Sequence, residues 1–438
     1  MCGPSGVELS MSFLNIACKG LLLLPCVLVA GIAVAEPFIV VVATHSMNNP
    51  DQPLQRSLTL ANDAGITSVR DDAFWSTVEP EPGQSRIIPQ WRAWLTTATA
   101  LRQTPMVILG YGTSFTGNAK PRQPEVKTPY LKYVDYLTRQ LGNSVKYYEV
   151  WNEWDIESAT DARLSNDYVA LVRDAAPIIR KNNPQARVLA GAVTSAGIKG
   201  GFVDRILAAG VLRYADGISL HPYVHCAGRG RNTPESWIDW MRELDNRFSQ
   251  GGRPVPLYLT EMSWPSHEGA CGIDNSRQAA YLARAFFLAR TVPNIKGMWW
   301  YDLIDDGTQR DEQEHHFGLL KVDLSPKPAY PVLKAISRYV RDFDYDPHDS
   351  LQADGIYKLV FSDGHERILV AWATEHSREA QVNSQAMGNA PLRVLDTQTP
   401  DKGMVNTEQH WQCSDDDQCT APINMTEFPK IIRLSPEA

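Results

Sequence analysis

The chain has 438 residues, of which 43% are hydrophobic and 21% are charged, so it can bury a large core and wholesale disorder is excluded. This length suits a barrel with a small appended module better than one average domain. The net charge of −8, with no cluster of lysine and arginine, argues against a surface for nucleic acid or anionic membrane.

The N-terminal segment has the pattern of an export signal. Lys19 precedes an apolar run over 20–32, which is too short to predict a membrane span. The Ala-Val-Ala sequence at 33–35 then supplies small residues for cleavage. We therefore predict that residues 1–35 are a signal peptide and that the mature protein is secreted or periplasmic. A retained N-terminal anchor is the alternative.

From residue 38 onward, strand-like and helix-like segments alternate. The predicted strands are 38–45, 67–72, 105–111, a run from 145, 187–193, 216–223, 255–262 and 295–302. The predicted helices are 54–64, 90–103, 130–141, 167–181, 202–209, 236–248, 278–290 and 330–340. Eight strand–helix units predict an α/β fold of the (β/α)8 (TIM) barrel type over residues 36–344. The doubly wound alternative would show a glycine-rich turn after the first strand, which this sequence lacks.

The pattern changes near residue 345. The segments 356–361 and 367–372 flank a Ser-Asp-Gly turn and predict a β-hairpin, and short strands are predicted at 392–395 and 430–434. We therefore predict a small C-terminal all-β module, β-sandwich-like, over residues 345–438. We expect it to cover one side of the barrel, and the alternative is an independent sugar-binding role.

The cysteines predict disulfides rather than a metal site. Three of the seven precede residue 36, and the four that remain allow three pairings. Cys413 and Cys419 are close in sequence and are expected to pair, which leaves Cys226 with Cys271 to join two loops. The spacing of these cysteines lacks the CxxC pattern of zinc sites.

Two glutamates stand where predicted strands end. Glu153 follows the apolar run from Val145, and Glu261 follows the run that begins at Leu257. A carboxylate there is costly unless the fold opens onto a cleft, and the C-terminal strand ends of a β/α barrel provide one. Double-displacement glycoside hydrolysis needs two carboxylates about 5–5.5 Å apart, one as nucleophile and one as acid/base. We therefore predict a catalytic pair, and the alternative is an ordinary salt-bridge role.

In Asn152-Glu153 on strand four and Glu261 on strand seven, the sequence resembles the retaining glycoside hydrolases of clan A. It most resembles family 39 and related bacterial exopolysaccharide hydrolases, while family 5 shares much of the pattern. The stretches that carry this resemblance are Trp151-Asn-Glu153, His221-Pro-Tyr223, Trp300-Tyr-Asp302, Phe317-Gly-Leu-Leu320 and Pro326-Lys-Pro-Ala-Tyr330. The resemblance covers residues 38–340 and implies Glu153 as the acid/base and Glu261 as the nucleophile.

Several neighbours of the pair have predicted roles in substrate binding. Asn152 can donate a hydrogen bond to a sugar 2-hydroxyl, which strengthens in the transition state. Tyr223 would hydrogen-bond Glu261, and His221 would orient one of the carboxylates. Arg70 beside the nucleophile would favour its charged form. For each residue the alternative is ordinary packing or ion pairing.

Residues near the first and last strands complete the predicted site. His45 and Trp300 would line the sugar site, with Trp300 as the stacking floor. Asp302 begins an acidic loop in which one or two carboxylates would bind hydroxyls. We predict no metal and no cofactor, because His45, His221 and His225 lack a recognisable ligand spacing.

The two predicted roles require different pKa values. We predict that the pKa of Glu153 is raised enough to keep it protonated in the resting protein, while Glu261 stays ionised. The predicted function is a retaining β-glycoside hydrolase for an extracellular polysaccharide or oligosaccharide. We favour endo action over an exo-acting, β-xylosidase-like enzyme. An exo enzyme needs a pocket that is closed at one end, and loops 224–235 and 263–277 could close it. A non-catalytic glycan-binding barrel is the alternative from another class.

Overall fold

Eight parallel strands close into a barrel in which each strand pairs with its sequence neighbours and the last pairs with the first. The computed structural model describes residues 37–249 and 252–435, so the predicted signal peptide lies outside the described residues. The barrel strands are β1 (Ile39–Ala43), β2 (Ser68–Phe74), β3 (Thr104–Gly110), β4 (Tyr147–Val150), β5 (Arg187–Thr194), β6 (Gly217–His221), β7 (Leu257–Met262) and β8 (Ile295–Trp300). The predicted (β/α)8 barrel is confirmed.

The helices surround this barrel. They are α1 (Leu54–Asp63), α2 (Trp75–Val78), α3 (Pro89–Ala100), α4 (Pro124–Leu141), α5 (Ala162–Asn182), α6 (Ser195–Lys199), α7 (Phe202–Ala208), α8 (Pro234–Phe248), α9 (Asn275–Ala289) and α10 (Ala329–Asp342). The short helices α2 and α6 follow β2 and β5 directly and were not predicted. Side-chain caps mark several helix starts: Asp161 accepts from the backbone N–H of Arg163, and Thr233 forms a capping box with Ser236.

Alternation along the strands separates two apolar layers. Side chains of one parity form a cluster inside the barrel that consists of Val41, Met106, Tyr147, Leu189, Tyr258 and Trp299. Side chains of the other parity pack against the helices in the main core, as Val40, Val42 and Trp300 do. Successive residues of a strand point to opposite faces, so Trp299 and Trp300 occupy different layers.

The C-terminal module has two antiparallel sheets. Its strands are β9 (Asp344–Ala353), β10 (Ile356–Ser362), β11 (Arg367–Ala373), β12 (Arg378–Gln385), β13 (Pro391–Asp396), β14 (Val405–His410), β15 (Gln412–Cys413), β16 (Gln418–Met425) and β17 (Lys430–Arg433). The six-stranded sheet has the order β14-β13-β17-β11-β10-β9, and the three-stranded sheet has the order β12-β16-β15. The predicted all-β module and its β10–β11 hairpin are confirmed.

The larger sheet covers the side of the barrel formed by α8 and α9. Its inner face shares the main apolar core, and the rings of Phe361 and Phe287 lie 5.4 Å apart. The indole N–H of Trp372 donates to Glu235 on α8 at 2.9 Å, and Glu235 also pairs with Arg284 on α9. A buried polar contact therefore accompanies the apolar one between sheet and barrel.

Both predicted disulfides are present. Cys226 and Cys271 join the loops after β6 and β7, and Cys413 and Cys419 join β15 to β16. Among the described residues, no helix combines the length and the apolar character needed to cross a membrane.

Candidate active site

The strand ends of β4 and β7 bring the two predicted carboxylates together. Glu153 lies three residues beyond the end of β4, and Glu261 is the penultimate residue of β7. Glu153 has a φ of 49°, which a residue with a side chain rarely adopts. Its backbone N–H donates to the carbonyl of Ala192 at 3.1 Å, which holds this conformation. Strained backbone of this kind clusters at functional sites.

His221, at the end of β6, lies between the two carboxylates. Its Nδ1 is 2.9 Å from Glu153 Oε1 and 3.5 Å from Glu261 Oε2. One oxygen of each carboxylate lies within 4.8 Å of the other and of a His221 nitrogen. The imidazole is fully buried, whereas the side chains of Glu153 and Glu261 are 26% and 12% exposed. The carboxylates therefore face solvent with the histidine behind them.

Arg70 on β2 connects the site to the interior of the barrel. Its guanidinium donates to Glu261 Oε1 at 2.8 Å and to Asn152 Oδ1 at 3.0 Å. Its Nε and Nη2 atoms also donate hydrogen bonds to Oε2 of Glu149, a fully buried carboxylate on β4. The hydroxyl of Thr260 donates to the other Glu149 oxygen at 2.8 Å. Because this network fixes the guanidinium, Arg70 holds Glu261 and Asn152 at fixed positions.

Tyr223 supplies the second donor to Glu261. Its hydroxyl donates to Oε2 at 3.0 Å, so each oxygen of Glu261 accepts a hydrogen bond from a different side chain. Burial and the charge of Glu261 hold the pKa of Tyr223 well above its ordinary value, so the phenol keeps its proton and donates. Hydrogen bonds to both oxygens hold the Glu261 carboxylate in a single orientation.

The pKa of Glu153 contradicts our sequence prediction. Burial raises this pKa, but the hydrogen bond from His221 and the charges of His221 and Arg70 outweigh burial, so the net shift is downward. The pKa of His221 is raised, because Glu261 and Glu153 outweigh the effect of its own burial. The prediction of a Glu153 protonated in the resting protein was therefore wrong, since it considered burial without the histidine.

The carboxylates open into a cavity of about 320 Å³, here called the mouth cavity. This volume is near the lower end of the range for small-molecule sites. Its lining residues are Ala43, Thr44, His45, Arg70, Asp72, Ile108, Tyr111, Asn152, Glu153, Tyr223, His225, Glu261, Tyr301, Gln313, Glu314 and Phe317. Six of the nine predicted site residues are in this lining, and His221 lies behind the carboxylates.

Besides His221, two predicted residues do not line the mouth cavity. Trp300 is fully buried among the helices, where its indole N–H donates to the carbonyl of Phe317 at 3.2 Å. It cannot form a stacking floor, because strand alternation turns it outward. Asp302 is 2% exposed, and its Oδ2 lies 3.9 Å from His45 Nδ1. The aromatic residue that reaches the cavity is Tyr301, which directly follows β8 and whose ring lies 5.4 Å from Phe317.

Sequence reasoning missed other lining residues. Asp72, Tyr111 and Tyr301 lie at the ends of β2, β3 and β8, so the strand-end argument that found Glu153 applies to them also. Gln313 and Glu314 belong to a 3-10 helix (Gln313–His316) in the long loop after β8. No local pattern indicates that this loop folds back over the barrel mouth.

Two groups of potential metal ligands occur among the described residues. One is Glu153, His221 and Glu261, and the other is His45, Asp302 and Asp306. The pKa of His45 is raised to about 10, because a hydrogen bond to Asp306 and the charge of Asp302 outweigh its burial. The two carboxylates therefore favour the protonated imidazole, which pairs with them.

The architecture matches known carbohydrate-active enzymes. The family 39 glycoside hydrolase from the gut symbiont Bacteroides cellulosilyticus WH2 aligns with a TM-score of 0.75 and 23% identity, over 91% of this chain and 81% of that one. The chain shares the fold of this glycoside hydrolase. The resemblance inferred from the sequence is thereby confirmed for the fold.

Two further structures share this fold. A monomeric β-xylosidase from Caulobacter crescentus CB15 aligns with a TM-score of 0.61 and 17% identity, over 92% of this chain and 98% of that one. A family 30 endoxylanase from Clostridium papyrosolvens C71 aligns with a TM-score of 0.61 and 14% identity, over 91% of this chain and 96% of that one. No protein-family model and no curated protein sequence matches the chain.

Proposed function

We propose that the protein is a retaining β-glycoside hydrolase that uses Glu261 as nucleophile and Glu153 as acid/base. The observation that carries this proposal is that one oxygen of Glu153 and one oxygen of Glu261 lie within 4.8 Å of each other at the carboxyl ends of β4 and β7. A retaining enzyme needs its carboxyl groups about 5–5.5 Å apart, whereas an inverting enzyme needs about 6.5–9.5 Å to admit water. The short separation supports double displacement.

In the first step, a Glu261 oxygen would attack the anomeric carbon and the bond to the leaving oxygen would break. Glu153 would give its proton to that oxygen. Arg70 and Tyr223 each donate to Glu261, which holds the carboxylate in the orientation needed for attack on the sugar. Asn152 has its amide oxygen tied to Arg70, so its N–H groups remain for the sugar 2-hydroxyl.

In the second step, Glu153 would remove a proton from water, which attacks the same carbon and releases Glu261. The contact with His221 favours the ionised Glu153 that this step requires. In the first step Glu153 must instead carry a proton. Entry of the sugar removes water from the 26% of the side chain that is exposed, and loss of water favours the neutral form. Substrate binding would therefore raise the pKa of Glu153.

The substrate class is an extracellular polysaccharide or oligosaccharide. The predicted signal peptide and the two disulfides support an oxidising compartment outside the cytoplasm. Structures with the same fold include a β-xylosidase and an endoxylanase, so fold alone leaves both exo and endo action open. We favour endo action, and the exo-acting, β-xylosidase-like enzyme is the second candidate.

The proposal is tested by incubating the protein with a panel of β-linked polysaccharides and following the first products by proton NMR. We expect β-anomers before mutarotation, and α-anomers would overturn double displacement. Endo action lowers polymer viscosity early, whereas exo action releases monosaccharide first. Glu153→Gln and Glu261→Gln should abolish turnover, whereas Glu157→Gln, in the same loop but outside the cavity lining, should retain it. A glycan-binding protein without catalysis would show no turnover before mutation.

A further inference from the structure

A second cavity adjoins the mouth cavity. It has a volume of about 460 Å³ and is here called the loop cavity, because the loops after β6 and β7 form it. Its lining residues are His225, Cys226, Gly228, Arg229, Gly230, Asn232, Thr233, Cys271, Gly272, Ile273, Arg277 and Tyr281. His225 lines both cavities, and Cys226 Sγ lies 3.9 Å from Gln313 Oε1 of the mouth cavity. The two cavities are therefore neighbours, and a chain of linked sugars bound in the mouth cavity could extend past His225 to the loop cavity.

The mouth cavity does not suit an anionic sugar. Four carboxylates line it, namely Asp72, Glu153, Glu261 and Glu314. Its two cations are already paired, because Arg70 binds Glu149 and Glu261 while His45 binds Asp306. A carboxylate on the sugar that undergoes cleavage would face repulsion here without a free positive partner.

The loop cavity has the opposite character. Arg229 and Arg277 are the two arginines in its lining, which contains no aspartate or glutamate. Arg229 is exposed and has no ion pair within residues 37–249 and 252–435. Arg277 has a distant carboxylate partner, Glu427, at 3.8 Å. At least one guanidinium is therefore available to an anion.

The loop that carries Arg229 is anchored at both ends. Gly228 and Gly230 on either side have φ values of 87° and 78°, which glycine adopts without steric cost. The disulfide of Cys226 with Cys271 anchors one end of the loop. The indole N–H of Trp264 donates to the Asn232 carbonyl at 2.7 Å and anchors the other end. The loop is thus organised before a ligand arrives, which lowers the entropic cost of binding.

We infer that the loop cavity is a subsite for a uronic acid residue, whose carboxylate pairs with Arg229, while an uncharged sugar occupies the mouth cavity. A guanidinium suits this ligand because its planar fork matches a carboxylate with two hydrogen bonds. This inference rests on the proposed function and narrows its substrate to acidic heteropolysaccharides, in which neutral and uronic residues share one β-linked chain.

The test compares an acidic polysaccharide with its own carboxyl-reduced form, in which each uronic acid becomes a neutral sugar with unchanged linkages. Hyaluronan, unsulfated chondroitin and gellan provide three such pairs, because each has glucuronic acid in its main chain next to neutral sugars. Binding to the Glu261→Gln variant is measured by affinity electrophoresis, and turnover by the native protein is measured from reducing ends. We expect at least one native polymer to bind about fivefold more tightly than its reduced form, as for a partly exposed ion pair. This preference should shrink in 0.5 M NaCl.

Arg229→Gln and the double variant Arg229→Gln/Arg277→Gln should lose this preference and bind the carboxyl-reduced polymer unchanged, which also shows that they fold. Arg92→Gln, which removes an exposed arginine of α3 outside both cavities, is the matched control and should keep the preference. Equal binding of native and reduced forms, no binding to any polymer, or a preference that survives the double variant would overturn the inference. Binding that depends on Arg229 without turnover by the native protein would support the subsite and contradict the proposed hydrolase.

Discussion

Replacement of Arg70 by methionine separates the structural and catalytic parts of the site. Arg70 is the partner of Glu149, which is fully buried and accepts two hydrogen bonds from the guanidinium at 2.9 and 2.6 Å. Removal of one member of a buried ion pair leaves an uncompensated charge and costs about 3–5 kcal/mol. We therefore expect Arg70→Met to lower the free energy of unfolding by about that amount. Activity should also fall by about 100-fold or more, as when one preorganised donor is removed.

A second substitution isolates the buried charge. The double variant Arg70→Met/Glu149→Gln no longer contains the buried carboxylate. The amide oxygen of the glutamine can still accept a hydrogen bond from the hydroxyl of Thr260, which lies 2.8 Å from Glu149 Oε1 in the native protein. Replacement of both members of a buried pair by neutral groups is often close to neutral in stability. We expect the double variant to recover about half or more of the lost stability. Its activity should remain lost, because Glu261 and Asn152 still lack Arg70.

The assay is urea unfolding followed by tryptophan fluorescence, together with initial rates on the best substrate of the polysaccharide panel. The matched control is Arg92→Met, which removes an exposed arginine from α3. A double variant no more stable than Arg70→Met would refute the role assigned to the buried charge. Recovery of activity along with stability would refute the direct role of Arg70 at Glu261.

Three further predictions concern His221, His45 and the loop disulfide. His221→Leu removes the hydrogen bond and the charge that lower the pKa of Glu153, so burial should raise this pKa. The basic limb of the pH profile of kcat/KM should therefore move to higher pH. An unchanged basic limb would contradict the influence of His221 on Glu153. Because the pKa of folded His45 is raised to about 10, its stabilisation is complete below about pH 6.5 and lost as pH approaches 10. His45→Gln should lower the melting temperature by about 1–2 °C at pH 6 and leave it unchanged at pH 10. The disulfide of Cys226 with Cys271 closes a 45-residue separation, so Cys226→Ser/Cys271→Ser should lower the free energy of unfolding by about 2–4 kcal/mol in urea titrations. Equal stability of the native and double-serine proteins would exclude this contribution.

The sequence predicted the barrel because buried parallel strands appear as short apolar runs separated by helical segments. The strand-end argument then placed Glu153, Glu261, Asn152 and Arg70 on one cavity. Asn152 and Glu153 follow β4 and Glu261 is the penultimate residue of β7, and in a barrel these strand ends converge. Arg70 lies inside β2 and contacts the site through its guanidinium. The argument needed no side-chain detail, since register along a strand decides which residue comes last.

The direction of individual side chains and the electrostatics of the site could not be predicted from the sequence and became clear only from the structure. Alternation shows that Trp299 and Trp300 face opposite layers, but it does not show which one faces the helices, so Trp300 was misplaced. The pKa of Glu153 depends on a 2.9 Å contact with His221, which comes from another strand. Gln313 and Glu314 reach the cavity through a long loop whose path depends on tertiary contacts rather than on local sequence.

Azide rescue of two alanine variants tests the central proposal most directly. With an activated aryl β-glycoside of the preferred sugar, Glu261→Ala should be inactive in buffer and should form an α-glycosyl azide when azide is added, since azide replaces the nucleophile in a single inverting step. Glu153→Ala should form a β-glycosyl azide, because azide attacks the glycosyl-enzyme on Glu261. This pair of opposite anomers is the result we predict. An α-azide from Glu153→Ala, or no rescue of Glu261→Ala while the native protein cleaves the same glycoside, would contradict the assignment of the two carboxylates.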